Sequence, residues 1–341
     1  MLAPSLKIQR GLLTSHHPER GKGSSGVFSL SGGQKDLIEY SGTEQMQNYW
    51  WILALALSLL TASYVWINQF LKVKGSVLMA YRGLGTAILL LPFCLYFAPI
   101  HNPWFYALCI VQGLVLSIGE NRILNSAKAF GAEVTSLIHP ISIAIIFVVW
   151  VLLHPSELQE LIQQPQKFAL IAVCLLGVAT ALILISKAKA NRKALWFLLA
   201  AMSCETFIDI TSKETTHLGA ENVISAIFYY TLITSFVAGG CNILCQNKRR
   251  FREVFDRKNL KFAWFFMSFA ILHSILKTYT MYLSPNPAYV AAIVHAYPVW
   301  IMLGNNYLFE KKQKGHYIKI RPQYLILLLI SIVGMILLVE E

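Results

Sequence analysis

The stretch GAEVTSLIHPISIAIIFVVWVLL, residues 131–153, decides the fold class of this chain. It runs for 23 residues with a single charged side chain, Glu133. A helix needs about 20 mainly apolar residues to cross the roughly 30 Å hydrocarbon layer of a bilayer. Stretches of this kind recur along the sequence until little else is left, and they predict an all-helical integral membrane protein.

Composition supports this interpretation. Apolar residues make up 56% of the 341 residues, charged residues only 13%, and the mean hydropathy is +0.54. A water-soluble domain of this length needs more charge to cover its surface. The net charge of +12 fits a membrane surface better than nucleic acid, because the basic residues cluster in short connectors between apolar runs. The six cysteines show no CxxC pair, so we interpret them as small apolar side chains.

The apolar stretches predict ten transmembrane helices in two sets of five. A flexible polar tail, residues 1–48, precedes them, and it has no apolar core of a signal peptide. The first set occupies residues 49–190 and the second residues 191–341. The predicted spans are 49–69, 76–97, 104–125, 131–153, 168–186, 194–212, 222–245, 261–283, 288–309 and 323–339.

Charge in the connectors predicts the orientation. The connectors after the odd-numbered spans hold 19 Lys and Arg, counting Lys261 at the start of span 8, whereas those after the even-numbered spans hold only Lys167 and Lys213. Positive charge stays on the cytoplasmic side. The odd-numbered connectors are therefore expected in the cytoplasm, with both termini outside.

The two sets of helices resemble each other in sequence. At a shift of 156 residues, AEVTSLIH (132–139) lies over AYVAAIVH (288–295), so that His139 matches His295. At a shift of 145 residues, Trp51, Ser58 and Thr61 match Trp196, Ser203 and Thr206. A repeat of five spans inserts in opposite directions in its two copies, and inverted repeats are typical of alternating-access carriers.

The chain resembles the drug/metabolite transporter superfamily, in its ten-helix EamA-like branch. The resemblance covers residues 49–339 and rests on composition and order. The segments that show the resemblance are AKAFGAEVTSLIHPISIAIIFVVW (127–150), NPAYVAAIVHAYPVWIMLGNNYLFEKK (286–312), in which Glu310 ends the ninth span, and MAYRGLGTAILLLPF (79–93). The resemblance implies export or exchange of amino acids, nucleotide derivatives or similar metabolites. It also implies cytoplasmic termini, which conflicts with the orientation predicted from charge.

Ionisable residues at membrane depth are costly, so each is a candidate site residue. Glu205 and Asp209 lie four residues apart and therefore on one helix face. They are candidates for proton exchange, or for a static pairing with Lys277 or Thr206. Lys277 is a candidate ligand for a carboxylate of the substrate or of span 6, or a side chain that reaches towards the interface.

The remaining candidates are more evenly balanced between function and structure. His139 and His295 suit proton transfer or ligand binding, and also simple hydrogen bonding to the backbone. Arg82 suits an anionic substrate group or the interface, and Glu120 suits the cavity or interfacial ion pairing. Two further candidate substrate-binding or proton-binding residues are His273 and Asn121. Tyr229, Tyr230, Tyr279, Tyr297 and Trp300 are interpreted as cavity walls or helix packing.

These observations favour a secondary active transporter of a small polar metabolite, proton-coupled or an exchanger, and not an enzyme. The alternatives are a membrane-embedded enzyme and an uncoupled channel or scaffold. The absence of an HExxH motif argues against a membrane-embedded enzyme, and the absence of a GxxxxGK[ST] phosphate loop argues against a built-in ATPase. No cofactor, metal or nucleic acid is expected. The expected partners are the substrate and the lipid bilayer, in a monomer or homodimer, and the expected location is the bacterial cytoplasmic (inner) membrane.

Overall fold

A computed structural model describes residues 49–71, 75–130, 138–186, 192–244, 253–308 and 321–340. Regular structure within these ranges is helical, without a strand. The predicted tail 1–48 and Glu310 lie outside the described residues. The helices are α1 Trp50–Leu71, α2 (Gly75–Ala80, a π-helical turn Tyr81–Gly85, and Thr86–Cys94), α3 Pro103–Phe130, α4 Ile138–Leu153, α5 Pro155–Gln163, α6 Pro165–Ser186, α7 Arg192–Leu218, α8 Val223–Leu244, α9 Arg257–Leu283, α10 Pro287–Val294, α11 Tyr297–Leu308 and α12 Pro322–Glu340.

Each predicted apolar segment coincides with a helix or a pair of helices. The largest boundary error falls on α7, which runs to Leu218, six residues past the predicted end of span 6. Lys213 was predicted in a connector and lies inside this helix instead, because its ammonium is paired within the bundle and the helix continues past it. The short amphipathic helix α5 was not predicted as a separate element, and Pro155 begins it.

Ten spans were predicted, but five helical segments in the described ranges are long and apolar enough to cross a membrane. A sixth is added if the pair His139–Leu153 and Pro155–Gln163, which meet at 101°, counts as one span. Three further apolar helices, Trp50–Tyr64, Pro103–Gly119 and Pro287–Ile301, are shorter than a span. Large apolar side chains also cover the outside of the bundle, for example Val173 at 64% and Ile330 at 66% exposure. Such a surface is typical of contact with lipid. The described chain thus has the candidate spans of an integral membrane protein.

Helix packing brings helices of the first half of the sequence against helices of the second half. Helix α6 packs along α12, α3 along α7, and α2 along α8. Helix α4 lies against α10, and α1 contacts α9, α10 and α11. Each of these contacts joins one helix from the first half of the sequence to one from the second half. The bundle is therefore an interleaved arrangement of the two halves.

Glycine permits the closest of these helix crossings. A Cβ atom on Gly83 would lie 2.4 Å from the Cα of Gly239, so the backbones of α2 and α8 touch there. Small residues at such a crossing are typical of closely packed membrane helices. Gly83 lies in the π-helical turn Tyr81–Gly85, which also carries Arg82. The contact between α2 and α8 therefore fixes the position of the backbone that carries Arg82.

The ninth predicted span is broken between α10 and α11. Pro298 has no N–H to donate to the carbonyl of Val294, so the helix cannot continue through this point. The Ser58 hydroxyl donates to that freed carbonyl at 3.2 Å, and the indole of Trp300 donates to the Ser58 oxygen at 3.1 Å. The break leaves His295 as the residue that follows α10. A broken helix inside the bundle is tolerated because α1 supplies the missing donor.

Candidate functional site

A cavity of about 180 Å³ lies in the middle of the bundle. Helices α2, α3, α7, α8 and α9 surround it, and its wall mixes apolar and hydroxyl side chains with four ionisable ones. The four ionisable side chains are among those that the sequence predicts as site residues. They are Arg82, Glu205, His273 and Lys277.

Glu205 joins the cavity to a pair of stacked histidines. His139 Nδ1 lies 3.1 Å from Glu205 Oε1, and His295 Nε2 lies 3.7 Å from the same oxygen. The two imidazole rings stack with centroids 4.4 Å apart and an interplanar angle of 25°. We call His139, Glu205 and His295 the triad. Helices α4 and α7 and the break after α10 supply one member each, so three separate parts of the chain build it.

Two hydroxyl groups hold the triad in place. The Tyr297 hydroxyl lies 3.1 Å from His139 Nε2, the nitrogen that faces away from Glu205. The Ser142 hydroxyl donates to Glu205 Oε2 at 3.4 Å. His295 Nε2 is buried and has no hydrogen-bond partner among the described residues. The triad is therefore fixed on two sides and left with one unsatisfied nitrogen.

An ion pair lies one turn along α7 from Glu205. The Lys277 ammonium is 2.6 Å from Asp209 Oδ1. The carboxylate is 1% exposed, whereas the lysine is 27% exposed and lines the cavity. Pairing offsets the cost of burying the Asp209 charge. Of the alternatives for Lys277, the structure therefore has it bound to the carboxylate of span 6.

Arg82 and His273 complete the polar wall of the cavity. The Arg82 guanidinium lies 5.3 Å from the ring centroid of Tyr64, within the range of a cation–π contact. His273 Nε2 lies 3.2 Å from the Thr61 hydroxyl of α1. Neither residue belongs to the triad. Glu120 and Asn121 lie on α3, but their side chains are outside the described part of the structure, so the predictions for them stay open.

A second polar cluster, which the sequence did not predict, occupies one end of the bundle. Lys213 lies eight residues beyond Glu205 on α7, about 12 Å along the helix. Its ammonium donates to the main-chain carbonyls of Ser284 and Pro285, the latter at 2.8 Å, just after α9 ends. It also lies 5.1 Å from the ring centroid of Trp150. A cation at the carboxyl end of a helix satisfies carbonyls that have no partner within the helix.

Side chains of α4 and α5 close the same end. The Trp150 indole donates to both carboxylate oxygens of Glu157, at 2.9 and 2.8 Å. His154 stacks on Trp150 with centroids 3.7 Å apart, and its Nε2 lies 2.9 Å from Glu214 Oε1. We call Trp150, His154, Glu157, Lys213 and Glu214 the end cluster. It ties α4 and α5 to α7 and to the end of α9.

Sequence reasoning named Arg82, Glu205, His273 and Lys277 of the cavity wall and missed the end cluster. The spacing of Glu205, Asp209 and Lys213, four residues apart on one helix face, is a signal that was available. It was overlooked because Lys213 was assigned to a connector. Ser142 carried no signal of its own, since a single serine in an apolar helix is ordinary.

Comparisons with known proteins bear on the fold alone. No family model and no curated protein matches this sequence. A solved crystal structure, described only as that of a protein, is similar over 86% of this chain and 96% of its own, with a TM-score of 0.54. The two sequences are 12% identical. At this identity the similarity shows a shared fold and carries no information on function.

Proposed function

We propose that this chain is a secondary active transporter of a small polar metabolite, which it moves across a membrane by alternating access. The central cavity carries the proposal. Arg82, Glu205, His273 and Lys277 line a space of about 180 Å³ within an apolar helical bundle. Charged side chains at such depth are retained where they face a substrate or ion pathway.

Pairs of contacts between the halves support an inverted repeat of five helices each, 49–190 and 191–341. Gly83 touches Gly239, and His139 stacks on His295. The members of both pairs are 156 residues apart, the shift at which the two halves resemble each other in sequence. Two halves related by a two-fold axis place equivalent residues against each other near that axis. This is the arrangement expected when one repeat moves against the other.

The outer layer of the bundle fits the same relation. An added Cβ at Gly177 would lie 2.2 Å from Ser331 Oγ, and one at Gly334 would lie 3.2 Å from Cys174 Sγ. Residues 174 and 331, and residues 177 and 334, are each 157 positions apart. Exchanging the halves converts one contact into the other. If all ten predicted segments cross the membrane, this arrangement is the one that the resemblance to the drug/metabolite transporter superfamily implies.

The end cluster supplies the closed side that alternating access requires. Its residues join helices of both halves at the ends of α4, α7 and α9. By the bias of charge in the connectors, this end faces away from the cytoplasm. Opening would separate Lys213 from the Ser284 and Pro285 carbonyls and give the cavity access to that side.

The cavity limits the class of cargo. Its volume is below the range of about 300–1,000 Å³ typical of drug-sized sites, which favours an amino-acid-sized solute over a nucleotide derivative. Arg82, Lys277 and Glu205 all line the cavity, so its wall offers both signs of charge to a zwitterion. The triad couples the cavity to two imidazoles, which suits proton coupling.

The test begins with a thermal-shift screen of the purified chain against small metabolites, because a ligand of the folded state raises its apparent Tm. The best ligand is then labelled and used for counterflow and proton-gradient-driven uptake in proteoliposomes. Saturable counterflow is expected, and it separates a carrier from a channel, a scaffold or an enzyme.

Variants of Glu205 test the proton coupling. Glu205→Gln is expected to abolish gradient-driven uptake, while the exposed Glu160→Gln of α5 keeps it. Full gradient-driven uptake in Glu205→Gln would remove proton coupling from the proposal. Absence of saturable counterflow for every ligand found would remove the carrier itself.

A further inference from the structure

The triad brings three possible metal-ligand atoms close together. One ring nitrogen of His139, one ring nitrogen of His295 and one carboxylate oxygen of Glu205 all lie within 4.8 Å of one another. Two imidazole nitrogens and one carboxylate oxygen form the ligand set of open zinc sites, which keep a further position for water or substrate. We propose that the triad binds a divalent transition-metal cation such as Zn²⁺.

The spacing of the donors fits this set. Ligands at about 2.0–2.1 Å from a tetrahedral metal lie about 3.3 Å from each other. The distances from Glu205 Oε1 are 3.1 Å to His139 Nδ1 and 3.7 Å to His295 Nε2. Shifts of a few tenths of an ångström in these two distances would bring each nitrogen to the separation from the carboxylate oxygen that two ligands of one ion have. The ligands lie far apart in the sequence, which explains why spacing along the chain did not reveal them.

The partners of the triad are those of a metal site. A ligating histidine normally uses its second ring nitrogen in a hydrogen bond that fixes the ring. The Tyr297 hydroxyl meets His139 Nε2 at 3.1 Å in this way, and the Ser142 hydroxyl supports Glu205 Oε2. His295 is 7% exposed, and its Nε2 has no hydrogen-bond partner in the described ranges. A buried nitrogen without a partner is costly unless something binds it.

The local charges leave room for a cation. Lys277 is the nearest ammonium group in α9, and Asp209 neutralises it at 2.6 Å. The charge of Glu205 is thus free to balance the metal. A bound ion would join α4 and α7 to the break after α10, and its open position would be next to the cavity that Glu205 lines. This site does not depend on transport, since binding is a property of the purified chain.

Zn²⁺ titration of the chelator-stripped, purified full chain tests the proposal by isothermal calorimetry. One ion per chain is expected, and X-ray absorption should show nitrogen and oxygen donors at about 2.0–2.1 Å. His295→Gln and Glu205→Gln should each weaken binding at least about 100-fold, and Tyr297→Phe about 10–100-fold. His101→Gln, in the connector between α2 and α3, should bind Zn²⁺ as the wild type does.

Two results would overturn the proposal. One is the absence of stoichiometric Zn²⁺ binding by the folded wild-type chain, which would leave the triad as a proton site. The other is binding that His295→Gln and Glu205→Gln leave unchanged. If those variants do not fold, the Tyr297→Phe variant and the absorption spectrum of the wild type decide, since surface binding would show neither the affinity change nor a two-imidazole shell. A failed flux assay would count against transport and not against the metal site.

Discussion

Helix α7 carries charged side chains on one face both beside the cavity and in the end cluster, but these side chains have different kinds of partner. The buried carboxylate of Asp209 pairs with Lys277, whose side chain lines the cavity. Lys213, one turn further along, is 6% exposed and donates to two main-chain carbonyls at the end of α9. Side chains around a space can exchange partners with a solute. A side chain that satisfies the end of a helix holds backbone in place, so burial of charge alone does not mark a substrate site.

The largest effect is expected from removing the ammonium group of Lys277 at the cavity. Lys277→Met leaves the carboxylate of Asp209, which is 1% exposed, without its counter-charge. Breaking a buried pair on one side costs about 3–5 kcal/mol, because an uncompensated charge stays buried. We expect this loss in the free energy of unfolding, measured by equilibrium denaturation in mixed detergent. Binding of the screened ligand should also disappear.

Two further variants sharpen this result. Lys261→Met removes an exposed lysine from the same helix and should change stability by less than about 0.5 kcal/mol. The double variant Asp209→Asn/Lys277→Met should recover most of the lost stability without recovering ligand binding. Recovery of binding as well would mean that the pair is only structural, and the contrast between the two clusters would fail.

The second-largest effect tests whether the close contact between α2 and α8 positions Arg82 in the cavity wall. Gly83→Ala puts a methyl group 2.4 Å from the Cα of Gly239, where only backbone can move. Overpacking of this kind costs about 1–3 kcal/mol, and a backbone contact favours the upper end. Because the same π-helical turn carries Arg82, ligand affinity should fall as well. Both are measured by the assays used for Lys277→Met.

Gly240 provides the matched control. It is the neighbour of Gly239 on α8, and a Cβ added there meets nothing within 4 Å. Gly240→Ala should therefore leave ligand affinity unchanged and should not destabilise the helix, since alanine favours helix over glycine. Equal losses in Gly83→Ala and Gly240→Ala would show that helix contact does not position the wall.

The sequence predicted the helices well because lipid-length apolar runs report directly on helical segments. It also named His139 and His295 as candidate site residues at matching positions of a weak repeat, but it did not predict that their rings stack. The triad could not be predicted as a set, because neither periodicity nor spacing indicates that Glu205 of α7 lies beside the imidazole rings of both His139 and His295. The break before Tyr297 was equally hidden, although Pro298 gave a local reason for it.

Errors in the sequence analysis have a common physical origin. Lys213 was placed in a connector because a lysine normally ends an apolar span near the interface. Within the bundle its charge is satisfied by the Ser284 and Pro285 carbonyls, a tertiary contact that no local pattern reports. Glu157 is a different case, because its partner, the Trp150 indole, lies only seven residues away across the bend between α4 and α5. Charges paired over long range escape rules built on local sequence.

The smallest effect is expected at the end cluster and tests the other side of the comparison. Lys213→Met removes two charge-assisted hydrogen bonds at the end of α9, and it also removes the cost of burying an ammonium group. Because these terms oppose each other, we expect a net loss of about 1–2 kcal/mol in the free energy of unfolding, with ligand affinity retained. A loss as large as that of Lys277→Met, together with lost binding, would mean that the end cluster is part of the substrate site. Retained binding with a faster rate of counterflow would instead mark it as the barrier that opens, since weakening a closed end lowers the cost of separating Lys213 from its carbonyls.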